Sequence, residues 1–184
     1  MKKGILLVAI IALFGITSSY GQTENKTVTI VKFSDYQCPA CAYFFPIEKR
    51  LEEEFGERVE IISKHFPLNI HQYAALASRA AEAAKVQGKY EEMHSKIFAG
   101  QPVWSQGNAQ SIFMGYAEDL NLDMDKFEED LNSQEIQRIV MQGRREGVMK
   151  GVRSTPTFFI NGDPVNPLPN NYAEFRQLVM KYMN

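Results

Sequence analysis

The stretch "SDYQCPACAYFF", residues 34–45, holds both cysteines of the 184-residue chain. Just before it, "TVTIVKF" (27–33) is β-branched and apolar with little polar alternation, the pattern of a strand buried on both faces. Just after it, "PACAYFFPIEKRLEEEF" (39–55) reads as a helix. Pro39 suits a first helical position, Phe44, Ile47, Leu51 and Phe55 recur at helical spacing, and Gly56 fits a stop. Pro46, inside the run, is expected to bend it. The order strand, Cys-x-x-Cys, helix puts Cys38 at a helix N-terminus. Unpaired backbone N–H groups and the helix dipole favour an anion there, so the Cys38 thiol is expected to ionise easily. Cys41, one turn further in, is expected to be less exposed yet close enough to bond Cys38. A mixed disulfide on Cys38 could then be resolved within the chain, which suits thiol–disulfide exchange.

Two blander readings compete. A bridge closing so short a segment removes little chain entropy, so stapling explains the pair poorly. Zinc would recruit His65 and His71, but the 23 residues between Cys41 and His65 exceed the spacing of a small zinc finger. The residues therefore favour redox chemistry, with no metal and no cofactor beyond the cysteine pair itself.

The N-terminus bears on compartment. A basic start, Met1 to Lys3, precedes the apolar run "GILLVAIIALFGI" (4–16) and then "TSSYGQ", with Ser19 and Gly21 in the −3 and −1 places. This reads as a secretory signal peptide, residues 1–21. The run is shorter than the roughly 20 apolar residues of a spanning helix. The expected location is therefore outside the cytoplasm, a periplasm or its equivalent. The net charge of −2 becomes −4 without Lys2 and Lys3, and no basic patch follows, so nucleic acid is not an expected partner. The 163 residues left suffice for one well-buried domain, expected to act as a monomer.

Further along, "RVEIISKHF" gives a second strand over 59–64. From His71 to about Lys150 the pattern is helical, beginning with the alanine-rich "HQYAALASRAAEAAKVQG" and ending with "QEIQRIVMQGRREGVMKG". "TFFI" (157–160) returns to strand, Asn161-Gly162 is a hairpin turn signal, and "NNYAEFRQLVMKYM" closes the chain as an amphipathic helix. Helices between strands indicate an α/β domain carrying a helical insertion. The division expected is 22–66 for the first part of the core, 67–150 for the insertion and 151–184 for the second part.

The segments "FSDYQCPACAYFFP", "KHFPLNIHQYAALASRAAEAAKVQGKYEEMH" and "GVRSTPTFFING" together resemble the DsbA-like branch of the thioredoxin-fold disulfide oxidoreductases. The resemblance runs from about Thr27 to Met183. It implies a thioredoxin-like fold with an inserted helical domain, Cys38 as nucleophile and Cys41 as its buried partner. It also implies that Pro156 is the cis-proline beside the redox pair, and that Thr155 pairs through its backbone with an extended substrate peptide. The expected partners are reduced or unfolded exported proteins, and a membrane redox partner that reoxidises the dithiol.

Two positions depart from the family pattern. Ala40 stands where strong oxidants often carry His, and Lys32 stands where a buried acid is common. Lys32, Pro39 and Ala40 are therefore the positions expected to tune the cysteines. For Lys32 the sequence leaves two options, a cation beside the Cys38 thiolate or a side chain reaching the surface away from it. Packing or turn-capping roles are expected for Asp35, Tyr36, His65, His94 and Trp104, and core positions for Met141 and Met149. The function expected is that of an enzyme, a thiol–disulfide oxidoreductase acting as an oxidant. The alternatives are a reductase or isomerase of the same fold, or a peptide-binding chaperone without catalysis.

Overall fold

The computed structural model describes residues 27–183; the expected signal peptide, residues 1–21, lies outside them. The element order is β1 (Val28–Ser34), α1 (Pro39–Phe55), β2 (Val59–His65), α2 (Ala74–Val86), α3 (Tyr90–Ala99), α4 (Gln101–Trp104), α5 (Ala109–Asp119), α6 (Met124–Asn132), α7 (Gln134–Met149), β3 (Thr157–Ile160), β4 (Asp163–Pro164) and α8 (Tyr172–Met183). The sheet order is β2-β1-β3-β4. β1 pairs in parallel with β2, from Val28 opposite Val59 to Ser34 opposite His65, because α1 crosses over between them. β3 runs antiparallel to β1 and β4 antiparallel to β3. Asn161 and Gly162 turn the chain between the last two strands with φ of 49° and 93°, the left-handed pair that a tight hairpin demands.

Strand alternation divides the core. Val28 and Ile30 of β1, with Phe158 and Ile160 of β3, meet Phe44, Ile47 and Leu51 of α1 and Phe175 and Val179 of α8. On the opposite face Phe33 packs with Phe66 and Val152. There α7 crosses the sheet on glycines. A Cβ at Gly143 would lie 2.8 Å from the His65 carbonyl oxygen, and one at Gly147 would lie 2.6 Å from the Phe66 ring. These glycines replace the larger core side chains that the sequence pattern suggests for this helix. Met141 and Met149, expected in the core, are instead 36% and 82% exposed. They lie off the stripe of Ile136, Val140, Gly143 and Gly147 that α7 buries.

The insertion between β2 and β3 is α2 to α7. Its first helix begins at Ala74 rather than near His71, since His71 and Tyr73 are drawn into hydrogen bonds with Asp35 and Gln37. The alanine face of α2 lets Met93, Ile97, Trp104, Phe113, Phe127 and Leu131 close around it. That same apolar cluster takes in Tyr36, Cys38 and Cys41, so the insertion roofs the cysteine pair. Among the described residues no helix is long and apolar enough to cross a membrane.

Candidate active site

Cys38 is the N-cap of α1, in extended conformation, and Pro39 opens the helix. The two cysteines are unbonded thiols, with Cys38 8% exposed and Cys41 fully buried. The Cys41 thiol hydrogen-bonds the Cys38 sulfur and is the main reason that the Cys38 pKa falls from 9.0 to about 5. Partial burial opposes this, while Thr155 and the backbone N–H groups of Cys41 and Ala40 assist it. Ala40 thus acts through its backbone, at the helix start that Pro39 fixes. For Cys41 the direction reverses: burial, and then the neighbouring Cys38, push its pKa far up. The Asp35 N–H reaches the Cys41 sulfur at 3.5 Å.

Thr155 and Pro156 stand across from Cys38. The Thr155–Pro156 bond is cis, and the Cys38 thiol donates to the Thr155 carbonyl at 3.3 Å. Segments 117 residues apart meet at that contact.

The loop between β1 and α1 is held from several sides. Asp35 is fully buried. Its Oδ1 accepts from Gln37 N–H at 2.7 Å, and its Oδ2 accepts from Leu68 N–H and His71 Nδ1 at 2.8 Å each. The Tyr36 hydroxyl hydrogen-bonds His94 Nδ1. Burial, with Lys32 nearby, pushes the His94 pKa well down, which keeps the imidazole neutral. His65, the other histidine weighed as a zinc ligand, bonds Glu82 at 2.9 Å. Both histidines of that set are therefore engaged by carboxylates. Trp104 is buried and donates its indole N–H to the Ile97 carbonyl.

Lys32 takes neither course left open by the sequence. It is fully buried, so it does not reach the surface, and its ammonium lies 2.5 Å from Glu48 Oε2. The anion it meets is a carboxylate on α1 rather than the Cys38 thiolate. Burial raises the Glu48 pKa, with Lys32 opposing the rise. The other carboxylate oxygen, Oε1, is buried with no partner among the described residues. Glu48 lines a cleft of about 200 Å³ with Glu82, Tyr90 and His94. One signal for the pair was present in the sequence: Glu48 is the single acid on the buried stripe Cys41, Phe44, Glu48, Leu51, and Lys32 is the single cation of β1. Gln101 carried no such signal. Its amide donates to the carbonyls of Tyr36 at 2.6 Å and Cys38 at 3.1 Å.

A Cys38 thiol whose pKa is held low, a neighbouring Cys41 thiol that keeps its proton, and the Thr155 carbonyl facing them form a site chemically suited to thiol–disulfide exchange. Comparison with known proteins identifies the family and the fold. A thioredoxin family model matches residues 16–181. Among solved structures, a thioredoxin-like oxidoreductase from Silicibacter pomeroyi is 24% identical with a TM-score of 0.71, covering 85% of this chain and 87% of that one. BdbD from Bacillus subtilis is 21% identical with a TM-score of 0.73 over 85% and 87% of the two chains. For alpha-DsbA1 from Wolbachia pipientis the figures are 18%, 0.74, and 86% of each chain. Over 140 residues the chain is also 35% identical to the Na(+)/H(+) antiporter NhaA 1 of Salinispora arenicola, which is 76% of this chain but 21% of that protein. It thus spans about a fifth of the length of the curated relatives it matches. The chain belongs to the thioredoxin family, with the DsbA-like form of the fold in which helices are inserted between β2 and β3.

Proposed function

We propose that this protein is an exported thiol–disulfide oxidoreductase that passes the Cys38–Cys41 disulfide to cysteine pairs of exported proteins. The observation that carries the proposal is the placement of the pair, with Cys38 at the N-cap of α1 facing the Thr155 carbonyl and Cys41 fully buried behind it, which holds the Cys38 pKa low and pushes that of Cys41 up. Stabilising one thiolate stabilises the reduced protein, and that makes its disulfide the better oxidant.

A substrate thiolate attacks Cys38 Sγ, the Cys38–Cys41 bond breaks, and Cys41 leaves as a thiolate that takes up a proton. A second substrate thiolate then attacks the substrate sulfur of the mixed disulfide and releases the Cys38 thiolate. Two electrons pass from the substrate to the protein, and a membrane redox partner removes them to restore the disulfide. Thr155 and Pro156 form the substrate edge. Pairing through the Thr155 backbone accepts extended peptides with little regard to side chain, which suits unfolded substrates.

The test is the equilibrium of the cysteine pair with glutathione. The reading requires a potential well above the thioredoxin scale of about −270 mV, toward the DsbA scale of about −120 mV. A value near the first would favour a reductase. Cys41→Ala, with Cys38 first converted to its mixed disulfide with glutathione, is expected to exchange glutathione for thiols of reduced exported proteins and to trap them on Cys38, seen on diagonal gels. A Cys38→Ser variant with full biological activity would instead indicate a peptide-binding chaperone.

A further inference from the structure

Gln101 is a polar side chain of the insertion, 8% exposed, and its nitrogen donates to two carbonyls of the redox loop. An amide NH2 carries two donors, and here each has its own acceptor, one on either side of Gln37. The Cys38 carbonyl also accepts the Ala42 N–H at 3.2 Å, the first hydrogen bond of α1. Gln101 therefore completes that acceptor and fixes the peptide groups that precede and begin the helix.

Its own placement is firm. Gly100 permits the tight step from α3 to α4, because a Cβ there would lie 1.9 Å from the Tyr116 hydroxyl. Pro102 follows in the first turn of α4, and Trp104 anchors its far end in the core. Gln101 is thus held by the insertion and reaches across to the catalytic loop.

Building on the proposed redox function, we infer that Gln101 is a positioning residue for the thiol–disulfide chemistry. It clamps the Tyr36 and Cys38 carbonyls so that the N–H groups at the start of α1 stay aimed at the Cys38 sulfur. Nothing in the local Cys-Pro-Ala-Cys sequence supplies this clamp; it comes from a helix more than 60 residues downstream. A loop freed at Tyr36 and Cys38 samples orientations in which those N–H groups no longer face the thiolate. The thiolate then loses stabilisation, and the disulfide becomes a weaker oxidant.

The test compares full-length parent, Gln101→Met, which keeps length without donors, and Gln101→Glu, which puts a carboxylate against the two carbonyls. Thiolate absorbance gives the Cys38 midpoint, the glutathione equilibrium gives the potential, and thermal melts give stability separately. In Gln101→Met the Cys38 midpoint is expected to rise by about 1 unit, with a tenfold change in the glutathione equilibrium, about 30 mV more reducing. Gln101→Glu is expected to shift further in the same direction. Variants that melt earlier but keep the parent midpoint and potential would overturn the inference, because Gln101 would then be a purely structural contact. If both variants fail to fold, side-chain amide exchange in the parent decides. Protected Gln101 NH2 protons in both redox states support the clamp, and exchange at the rate of a free glutamine refutes it. A parent whose cysteine pair does not exchange with glutathione at all would instead sink the functional proposal, so the two failures are distinguishable.

Discussion

Cys38 and Cys41 share one proton in the reduced protein across most of the accessible pH range, since Cys38 ionises near 5 while Cys41 keeps its proton. Above pH 5, two-electron reduction should therefore take up one proton, and the potential should fall by about 30 mV per pH unit; below it two protons bind and the slope doubles. Alkylation of Cys38 by iodoacetamide should show its midpoint at about 5. The sign for stability follows from a depressed pKa. The thiolate's contribution to the reduced form is complete above the ordinary value of 9.0 and is lost as pH falls through about 5. The melting temperature of the reduced protein relative to the oxidised one should thus shrink on acidification across that window. Lys32 and Glu48 make a second residue-scale prediction. Glu48→Leu strands a buried ammonium and should cost about 3–5 kcal/mol in urea denaturation, whereas Lys32→Met with Glu48→Leu should recover most of it. Because Lys32 is matched by Glu48, the double variant should leave the Cys38 alkylation midpoint where it was. The cysteine pair stands out because it is a short contiguous motif, whereas Thr155 and Pro156 came only through the resemblance, since a Thr-Pro before a strand is by itself an ordinary turn; the structure places them beside Cys38 with a cis bond. The partner of Lys32 was not found, because the helical stripe of α1 marks Glu48 as a buried acid but does not say which strand residue it meets.

Among the elements, α7 shows where pattern reading and packing diverge. Its apolar residues suggested a core face that would include Met141 and Met149, but the contact is made by Gly143 and Gly147. Sequence periodicity scores hydrophobicity, and a glycine that lets a helix approach a strand contributes nothing to that score. Gly143→Ala should therefore cost about 1–3 kcal/mol by overpacking, since its methyl would meet His65 backbone 2.8 Å away. Met141→Gln or Met149→Gln should be within about 0.5 kcal/mol of the parent, as exposed positions usually are. The strands β1, β2 and β3 and the long helices were legible, down to the Asn161-Gly162 turn, while the two-residue β4 was not. The short helix α4 was not, since four residues are too few to carry a period, and its place follows from Gly100 and Trp104.

For the whole molecule, the apolar cluster of the insertion includes the redox pair, so insertion and core should unfold as one unit. Trp104 is the only tryptophan and lies in the insertion. Its fluorescence should therefore lose native signal at the same denaturant midpoint as the far-UV circular dichroism, as expected of a cooperative domain. An earlier fluorescence transition would show the insertion melting separately. The contact between the Cys38 sulfur and the Thr155 carbonyl joins residues 117 positions apart, and this orders events in time. During synthesis the two cysteines emerge early and Thr155 emerges near the end. A growing chain therefore presents Cys38 without its facing carbonyl and without the roof of the insertion. The environment that separates the two thiols is thus complete only once β3, with Thr155 just before it, has folded back onto β1.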